Sequence, residues 1–291
     1  MAETPDAPPT SGSPGSAGSR PGSEAIELDL LLEAIHRRYG YEFRSYEGES
    51  MRRRLLLACQ EANLRHLGEM QHRLLVEPQF FAWLISRLTV QTSDLFRDPA
   101  FFAAFRRAVV PLLRTYPELR FWLAGSASGE EAYSLAILLH EEGLYERSQI
   151  YVTDLDERAV QASREGIYSE ERVERFESNH RIAGGSDLGR HLTRAYGKVT
   201  MREELRRGMV FFQHDLATDH ALGEMHVVFC RNVLLYFSPG LKERATAMLA
   251  QGLRRGGFLC LGNSETLTEA ARANFVDFDA EQRIYRMRSG A

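Results

Sequence analysis

Short apolar runs alternate with helical patterns after Arg97, and this alternation constrains the fold more than any other feature of the sequence. Leu119 to Ala124 predicts a strand, and Glu130 to about Glu142 predicts a helix. Gln149 to Thr153 predicts a second strand, and a helix follows it as far as Glu165. Because strands that alternate with helices lie side by side in one direction, the sequence predicts a parallel sheet.

The rest of the chain supplies further strands for this sheet. Val227 to Cys230 predicts a strand, Pro239 to Arg254 a long helix, and Phe258 to Leu261 another strand. Phe275 to Phe278 and Ile284 to Met287 stand too close together for a helix between them, so we expect an antiparallel hairpin at one edge. The predicted fold class is therefore α/β, with a Rossmann-like, mostly parallel sheet.

The N-terminal part of the chain has only helical spacing. Apolar residues recur from Leu28 to Gly40, from about Ser50 to Ala62, from about Glu69 to Leu75, and again from Pro78. The 291 residues are enough for one large α/β domain and one small helical domain. The predicted division is a disordered tail rich in Pro, Gly and Ser over 1–23, a helical domain over 24–90 and an α/β domain over 91–291.

Composition limits the classes of function. Hydrophobic residues make up 44% and charged residues 26%, as in folded globular proteins, and the net charge of -4 argues against binding nucleic acid through bulk charge. No apolar run is long enough to cross a bilayer, and no secretory pattern begins the sequence. Cys59, Cys230 and Cys260 lack metal or disulfide spacing. We expect a cytoplasmic protein with reduced thiols and no metal site.

The loop after the first predicted strand is the first candidate ligand loop, because ligands of such sheets bind at the carboxyl ends of the strands. Gly125 lets the backbone approach a ligand, but the loop lacks a Gly-x-Gly-x-x-Gly motif and a phosphate-binding Lys. Glu130 and Glu131 begin the next helix, where they disfavour a pyrophosphate and suit a cationic ligand such as S-adenosylmethionine. The alternative is that both acids only complement the helix dipole.

Two further strand ends carry polar residues. After the second strand we assign Asp156 to the helix N-cap and Asp154 to a ligand, whose ribose hydroxyls would donate to it. Arg231 and Asn232 leave an apolar strand at the same edge of the sheet, and buried polar groups there need partners.

Four stretches of the chain together resemble the CheR-type chemotaxis receptor methyltransferases. These stretches are Ser93 to Phe102, Ala124 to Ser134, Val152 to Asp156 and Phe229 to Phe237, and the resemblance extends over Leu28 to Met287. It implies an S-adenosylmethionine-dependent enzyme with a seven-stranded sheet and S-adenosylhomocysteine as product. Together with Gly125, the implied cofactor-binding residues are Gln91, Ser93, Arg97, Glu130, Asp154, Asp215, Leu216, Arg231 and Asn232.

The sequence departs from the family pattern at several positions. Where the family usually has Asn-x-Thr-x-Phe-Phe-Arg, this chain has Gln91-Thr92-Ser93-Asp94-Leu95-Phe96-Arg97. Ser126 replaces a common Cys, and Asp215 replaces the usual Asn. Each change keeps a hydrogen-bonding or an apolar group, so we expect it to affect substrate preference more than cofactor binding.

The implied reaction is the methylation of glutamate side chains on chemotaxis receptors, which forms methyl esters for sensory adaptation. A glutamate with a pKa near ~4.3 is already ionised at neutral pH, so the transfer needs no general base. Arg97 is expected to orient this carboxylate, and Tyr236 to shape the methyl pocket. Core packing is the equally weighted alternative for Tyr236.

The resemblance also implies two contacts with the receptor's cytoplasmic domain. One is the helix that carries Arg52, Arg53 and Arg54, for which a solvated helix face is the alternative. The other is a small inserted β subdomain, predicted over 169–210, for which a solvated loop with one helix is the alternative. We expect the protein to be a monomer.

Three rival functions remain at this stage. One is a regulatory module that binds the cofactor without turnover, and a second is a methyltransferase that acts on another signalling protein. The third is a nucleic-acid methyltransferase, but the Asn/Asp-Pro-Pro-Tyr signature of amino-methylating enzymes is missing, and Cys230-Arg231-Asn232-Val233 stands at that strand end.

Overall fold

The protein's computed structural model describes residues 22–89 and 93–288. Most of the predicted tail and the cofactor candidate Gln91 therefore lie outside the described residues. In the helical domain the helices are α1 (Ser23–Tyr39), α2 (Gly48–Glu61), α3 (Leu67–Val76) and α4 (Pro78–Leu88). Gly40 ends α1 with a φ of 84°, and its N–H donates to the His36 carbonyl, because glycine adopts this left-handed conformation at low cost.

Ten strands form two sheets in the described part of the chain. The strands are β1 (Leu119–Ala124), β2 (Ser148–Asp154), β3 (Ile167–Ser169), β4 (Leu192–Ala195), β5 (Lys198–Met201), β6 (Met209–Gln213), β7 (Met225–Cys230), β8 (Leu253–Leu261), β9 (Phe275–Asp279) and β10 (Ile284–Met287). The main sheet has seven strands in the order β6-β2-β1-β7-β8-β10-β9. In this sheet β10 pairs antiparallel with both β8 and β9, and the other neighbouring strands pair in parallel. The predicted mostly parallel sheet with an edge hairpin is therefore confirmed.

Helices cover both faces of the main sheet. They are α5 (Pro99–Ala104), which continues through a π-helical turn (Phe105–Val109) into α6 (Val110–Leu113), α7 (Glu130–Glu141), α8 (Glu157–Glu165), α9 (Val173–Ile182), α10 (Pro239–Gly252) and α11 (Glu269–Arg272). Alternate residues of β1 enter opposite cores, as the pleat of a strand requires. Phe121 and Leu123 pack in the core that contains α7, whereas Trp122 and Ala124 pack in the core that contains α10.

The prediction that the long helix extends to Arg254 is wrong. The helix ends at Gly252, and β8 begins at Leu253, which pairs with Met225 of β7. An irregular register follows between Met225 and Val227, and a Cβ atom at Gly257 would lie 2.9 Å from the Arg254 carbonyl oxygen. Gly256 and Gly257 therefore allow an irregular first half of β8, whereas sequence periodicity predicted only its regular second half from Phe258 to Leu261.

The inserted segment contains a small sheet and a helix. Strands β3, β5 and β4 pair antiparallel in that order, and α9 lies between β3 and β4 in the chain. Met209 and Val210, the last residues of the insert predicted over 169–210, instead begin β6, which pairs in parallel with β2 of the main sheet. This backbone pairing extends the main sheet by one strand that the sequence did not predict.

Two further features of the described residues are the length of the helices and the state of the cysteines. Among the helices of residues 22–89 and 93–288, none combines the length and hydrophobicity of a membrane span. Cys59, Cys230 and Cys260 are buried and unbonded to one another, and burial raises the pKa of each thiol.

Candidate active site

The carboxyl ends of β1, β2 and β7 border a cleft with two adjoining lobes. Fifteen residues line the large lobe and nine line the small lobe. Both lobes share Gly125, Ala127, Asn232 and Tyr236 as lining residues. Because Gly125 follows β1 and Asn232 follows β7, the cleft lies where such sheets bind their ligands.

Asp154 is the buried acid of the large lobe. Its side-chain oxygens accept hydrogen bonds from the backbone N–H groups of Ala127, at 2.8 Å, and Asp156, at 3.0 Å. Burial raises the pKa of Asp154 to about 6, although these hydrogen bonds lower it. Asp156 accepts from the N–H of Arg158 at 2.9 Å and caps α8. The predicted separation of a capping acid from a cleft acid thus agrees with the geometry.

Apolar and aromatic side chains form much of the remaining wall of the large lobe. Leu155 and Leu216 line it from the loops after β2 and β6, and Tyr46 lines it from the helical domain. Asp215 also lines this lobe, burial raises its pKa, and its carboxylate accepts from the Ala217 N–H at 2.8 Å. An apolar slot with a few fixed carboxylates suits a nucleoside, which has a flat ring and hydroxyl donors.

The small lobe is rich in arginine. Arg231 is 5% exposed and donates to Glu131 at 2.7 Å and to Asp98 at 2.8 Å, while its guanidinium lies 4.0 Å from the centre of the Phe101 ring. Burial raises the pKa of Glu131, against the opposing effect of the Arg231 charge. Arg97 lines the same lobe together with Ser93. Two cations therefore border the lobe, and one of them is fixed by two carboxylates.

The linker that carries Arg97 has an unusual backbone. Phe96 and Asp98, the two neighbours of Arg97, have φ values of 51° and 56°. Bulky residues rarely adopt this left-handed conformation, which costs on the order of 1–3 kcal/mol per residue and persists only when surrounding contacts enforce it. One such contact is the Phe96 N–H, which donates to the Ser134 hydroxyl at 2.7 Å.

The helical domain forms one wall of the cleft beside Tyr236. The Glu47 N–H donates to the Tyr236 carbonyl at 2.8 Å, and the rings of Tyr46 and Phe237 meet edge to face at 5.0 Å. Arg54 lies over the Tyr236 ring, with its guanidinium 4.4 Å from the ring centre. The site is therefore completed by contacts between the two domains.

The loop after β7 is held by an acid that sequence reasoning missed. Glu265 is 4% exposed and accepts hydrogen bonds from the N–H groups of Asn232 and Gly262, both at 2.7 Å, and of Leu235 at 3.3 Å. It thereby stabilises Asn232 at a φ of 62°. Its only sequence signal is its position: it is the first acid after the last parallel strand.

Family comparisons match both parts of the chain. The model described as the all-alpha domain of CheR methyltransferases matches residues 26–89. The model described as the CheR methyltransferase SAM binding domain matches residues 91–283. The chain belongs to the CheR methyltransferase family. It is therefore an S-adenosylmethionine-dependent methyltransferase, and the recognition made from its motifs is confirmed.

Relatives of this CheR chain match it over most of its length. Cher3 of Pseudomonas putida, which carries a methyltransferase name, is 43% identical over 90% of this chain and 96% of its own. The chemotaxis protein methyltransferase of Listeria innocua is 29% identical over 84% of this chain and 93% of its own. Cher2 of Pseudomonas putida, a chemotaxis protein methyltransferase, is 29% identical over 74% of this chain and 80% of its own.

Most residues predicted for the cofactor come together in the cleft of this CheR chain, and so does Tyr236, which was predicted to shape the methyl pocket. The cofactor candidates that line the cleft are Ser93, Arg97, Gly125, Asp154, Asp215, Leu216, Arg231 and Asn232. The buried carboxylate and apolar residues of the large lobe fit a nucleoside, and the small lobe, which Arg97, Arg231 and Glu131 line, fits the charged carboxylate and amino groups of an amino acid. The described lining thus fits S-adenosylmethionine by the chemistry of its donor set. In residues 22–89 and 93–288, no cluster of His, Cys, Asp or Glu could hold a metal ion.

Glu130 is the exception among the described candidates. It lines neither lobe, and its side chain is fully buried against Arg172, which donates to it at 2.8 Å. Its neighbour Glu131 lines the small lobe instead. Of the two acids that the sequence suggested for a cationic ligand, Glu131 is therefore the one that faces the cleft.

Proposed function

We propose that this CheR-type chain transfers methyl groups from S-adenosylmethionine to glutamate side chains of chemotaxis receptors, and that the methyl esters serve sensory adaptation. The relatives from Listeria innocua and Pseudomonas putida carry the name chemotaxis protein methyltransferase, which supports a chemotaxis substrate. A cytoplasmic monomer is part of the proposal, because the target is the receptor's cytoplasmic domain.

The observation that carries this proposal is the meeting of the two lobes at Asn232 and Tyr236. The large lobe is lined by the buried Asp154 carboxylate, and the small lobe is lined by the guanidinium groups of Arg97 and Arg231 together with the Glu131 carboxylate. An anionic acceptor is favoured beside arginine, whereas an amine acceptor would be repelled. A carboxylate is therefore the acceptor that a cleft arginine such as Arg97 supports best.

The cofactor-binding roles follow from this arrangement. Asp154 would hold the cofactor by accepting hydrogen bonds from its ribose hydroxyls, and Asp215 and Leu216 would hold it from the same lobe. Gly125, Asn232 and Ser93 surround the junction of the lobes, and Gln91 is proposed as a further contact from the linker. Because the Glu130 carboxylate is fully buried, we propose that it supports the loop without touching the cofactor.

The chain's own residues position the acceptor. When bound, S-adenosylmethionine supplies an activated methyl group and its own leaving group. Arg97 orients the acceptor carboxylate through paired hydrogen bonds, and Tyr236 shapes the pocket for the methyl group. Arg231 is held by Glu131 and Asp98, so it ties the end of β7 to the linker residue next to Arg97. The acceptor is already ionised, so the proposed reaction needs no general base.

Receptor docking involves two exposed surfaces in this proposal. On α2, Arg53 is exposed, Arg52 pairs with Glu24 at 2.6 Å, and Arg54 is directed to Tyr236. Of the three arginines, Arg53 is thus best placed to contact an acidic receptor helix. The inserted segment adds a second surface, where Tyr196 at the tip of the β4–β5 hairpin is fully exposed.

The test is transfer of labelled methyl groups to receptor-containing membranes. We expect label that mild base releases as methanol, because methyl esters are base-labile. Arg97→Ala should lower turnover by roughly 1000-fold, as loss of a positioned charged group does, while S-adenosylhomocysteine still binds. Arg107→Ala, which removes an exposed arginine that lines neither lobe, is the control. Base-stable label, or full turnover by Arg97→Ala, would contradict the proposal.

A further inference from the structure

The start of the inserted segment contacts the backbone that carries Arg97. Arg172 donates to the Asp94 carboxylate at 2.9 Å and to the Ser93 carbonyl, and the Asn179 amide donates to the Leu95 carbonyl at 3.0 Å. Three consecutive linker residues therefore receive hydrogen bonds from one short stretch of chain. They lie directly before the strained pair of positions that flank Arg97.

Arg172 also reaches the other side of the site. Its guanidinium donates to Glu130 at 2.8 Å, and Glu130 begins the helix that follows the Gly125 loop. The guanidinium lies 4.8 Å from the centre of the Phe176 ring, which keeps it in place. Nearby, the Tyr168 hydroxyl donates to the Ser128 carbonyl at 2.9 Å. The planar fork of a single arginine thus joins the linker to the cofactor loop.

We infer that Arg172 is a positioning residue that fixes the Ser93–Asp98 linker against the cofactor loop and thereby sets the place of Arg97. The physical reason is that the linker must hold Phe96 and Asp98 in an unfavourable backbone conformation. Hydrogen bonds to residues on both sides of Arg97 are needed to hold this conformation. Arg231 binds Asp98 from one side at 2.8 Å, and Arg172 binds Asp94 from the other. The catalytic part of the inference rests on the proposed role of Arg97.

Arg175 provides a matched control. It donates to the same Asp94 oxygen at 2.6 Å, but its side chain is 59% exposed, and Asp94 is its only ionic partner among the described residues. Exposed ion pairs contribute little. A comparison of Arg172 with Arg175 therefore separates the loss of a clamp from the loss of one positive charge near Asp94.

The experiment measures amide hydrogen exchange and turnover in the full chain. In Arg172→Ala the exchange of the Phe96 and Arg97 amides should accelerate by about 10-fold or more, and kcat should fall about 10- to 100-fold with little change in the KM for S-adenosylmethionine. Arg175→Ala should leave both within about twofold. Added guanidinium ions should restore part of the kcat of Arg172→Ala and none in Arg175→Ala.

Arg172→Lys protects the test against misfolding. Its ammonium keeps the charge but cannot bridge Asp94 and Glu130 as a planar fork does, so we expect an intermediate kcat. Equal exchange rates and equal kcat in Arg172→Ala and Arg175→Ala would overturn the inference. The exchange measurement requires no acceptor, so it decides the inference even where receptor methylation fails, an outcome that would overturn only the proposed function.

Discussion

Asp154 and Glu130 are two buried acids at neighbouring strand ends, but they have different surroundings. Asp154 lines the cleft and receives hydrogen bonds only from backbone N–H groups among the contacts described for it. Glu130 lies outside the cleft and is paired with Arg172 and with the Ser128 hydroxyl, at 2.6 Å. Asp154 can therefore bind a ligand in the cleft, whereas the charge of Glu130 is paired with Arg172 inside the protein.

The difference shows how the same sequence signal produces two roles. Both acids stand where a ligand-binding acid of this fold is expected. Glu130 is supplied with a cation by the inserted segment, more than forty positions along the chain, at Arg172. A carboxylate that is already paired gains little from a ligand, whereas a buried unpaired carboxylate gains much. The presence of a buried cation such as Arg172 therefore decides whether the acid binds a ligand or stabilises the protein.

The largest effect that we expect from this comparison is on cofactor affinity. Asp154→Ala removes a charged acceptor of the ribose hydroxyls, so the affinity for S-adenosylhomocysteine should fall on the order of 100-fold. Glu130→Gln should reduce it less than about fivefold, because Glu130 is outside the cleft. Isothermal titration calorimetry measures both. A greater loss in Glu130→Gln than in Asp154→Ala would reverse the assignment.

The next effect is a dependence of affinity on pH. Burial raises the pKa of Asp154 to about 6, so the carboxyl is ionised at neutral pH and loses its charge below that value. The affinity for S-adenosylhomocysteine should therefore fall as the pH decreases through about 6, by up to about tenfold per unit. In Asp154→Asn the affinity should be low and nearly independent of pH. Calorimetric titrations from about pH 5 to neutral pH test this.

The raised pKa of Asp154 also determines how the free energy of unfolding depends on pH. A carboxyl whose pKa is raised above its unfolded value favours folding below that unfolded value, and this contribution is lost as the pH rises through about 6. Bound cofactor should offset this loss. A pH-independent affinity in the wild-type protein would contradict the role of Asp154.

The smallest expected effect concerns thermal stability without cofactor. Glu130→Gln removes the negative charge that is buried against Arg172, so the melting temperature should fall by roughly 3–6 °C. Asp154→Asn should lower it less, because the buried carboxylate of Asp154 has no side-chain cation among its described contacts. Differential scanning calorimetry at neutral pH compares the two. Equal decreases in melting temperature would show that Glu130 and Asp154 contribute equally to the stability of the fold.

Much of the fold was accessible from the sequence. The helices of the N-terminal domain, the parallel strands and the edge hairpin follow from hydrophobic periodicity, which local residues set. Strand β6 and the early start of β8 were not predicted. The first is identified only by its pairing with β2, and the second depends on glycines that allow an irregular register with β7.

The site was accessible in part. Asp154, Arg231 and Asn232 stand directly at strand ends, and the position of a strand end is a local property. Glu265 could not be assigned, because its role depends on backbone N–H groups that the loop after β7 brings to it from 30 or more positions away. The wall formed by Tyr46 and Arg54 was missed for the same reason, since it comes from the other domain.

The sequence by itself determined the class of fold, the family and the strand ends that meet at the cofactor. Local periodicity and short motifs contain that information because each depends on neighbouring residues. Only the tertiary structure decided which acid faces the cleft, which arginine of α2 reaches Tyr236, and how the inserted segment reaches the linker of Arg97. These outcomes depend on pairs of charges and backbone groups far apart in the chain, and their pairing is selected by packing and desolvation together.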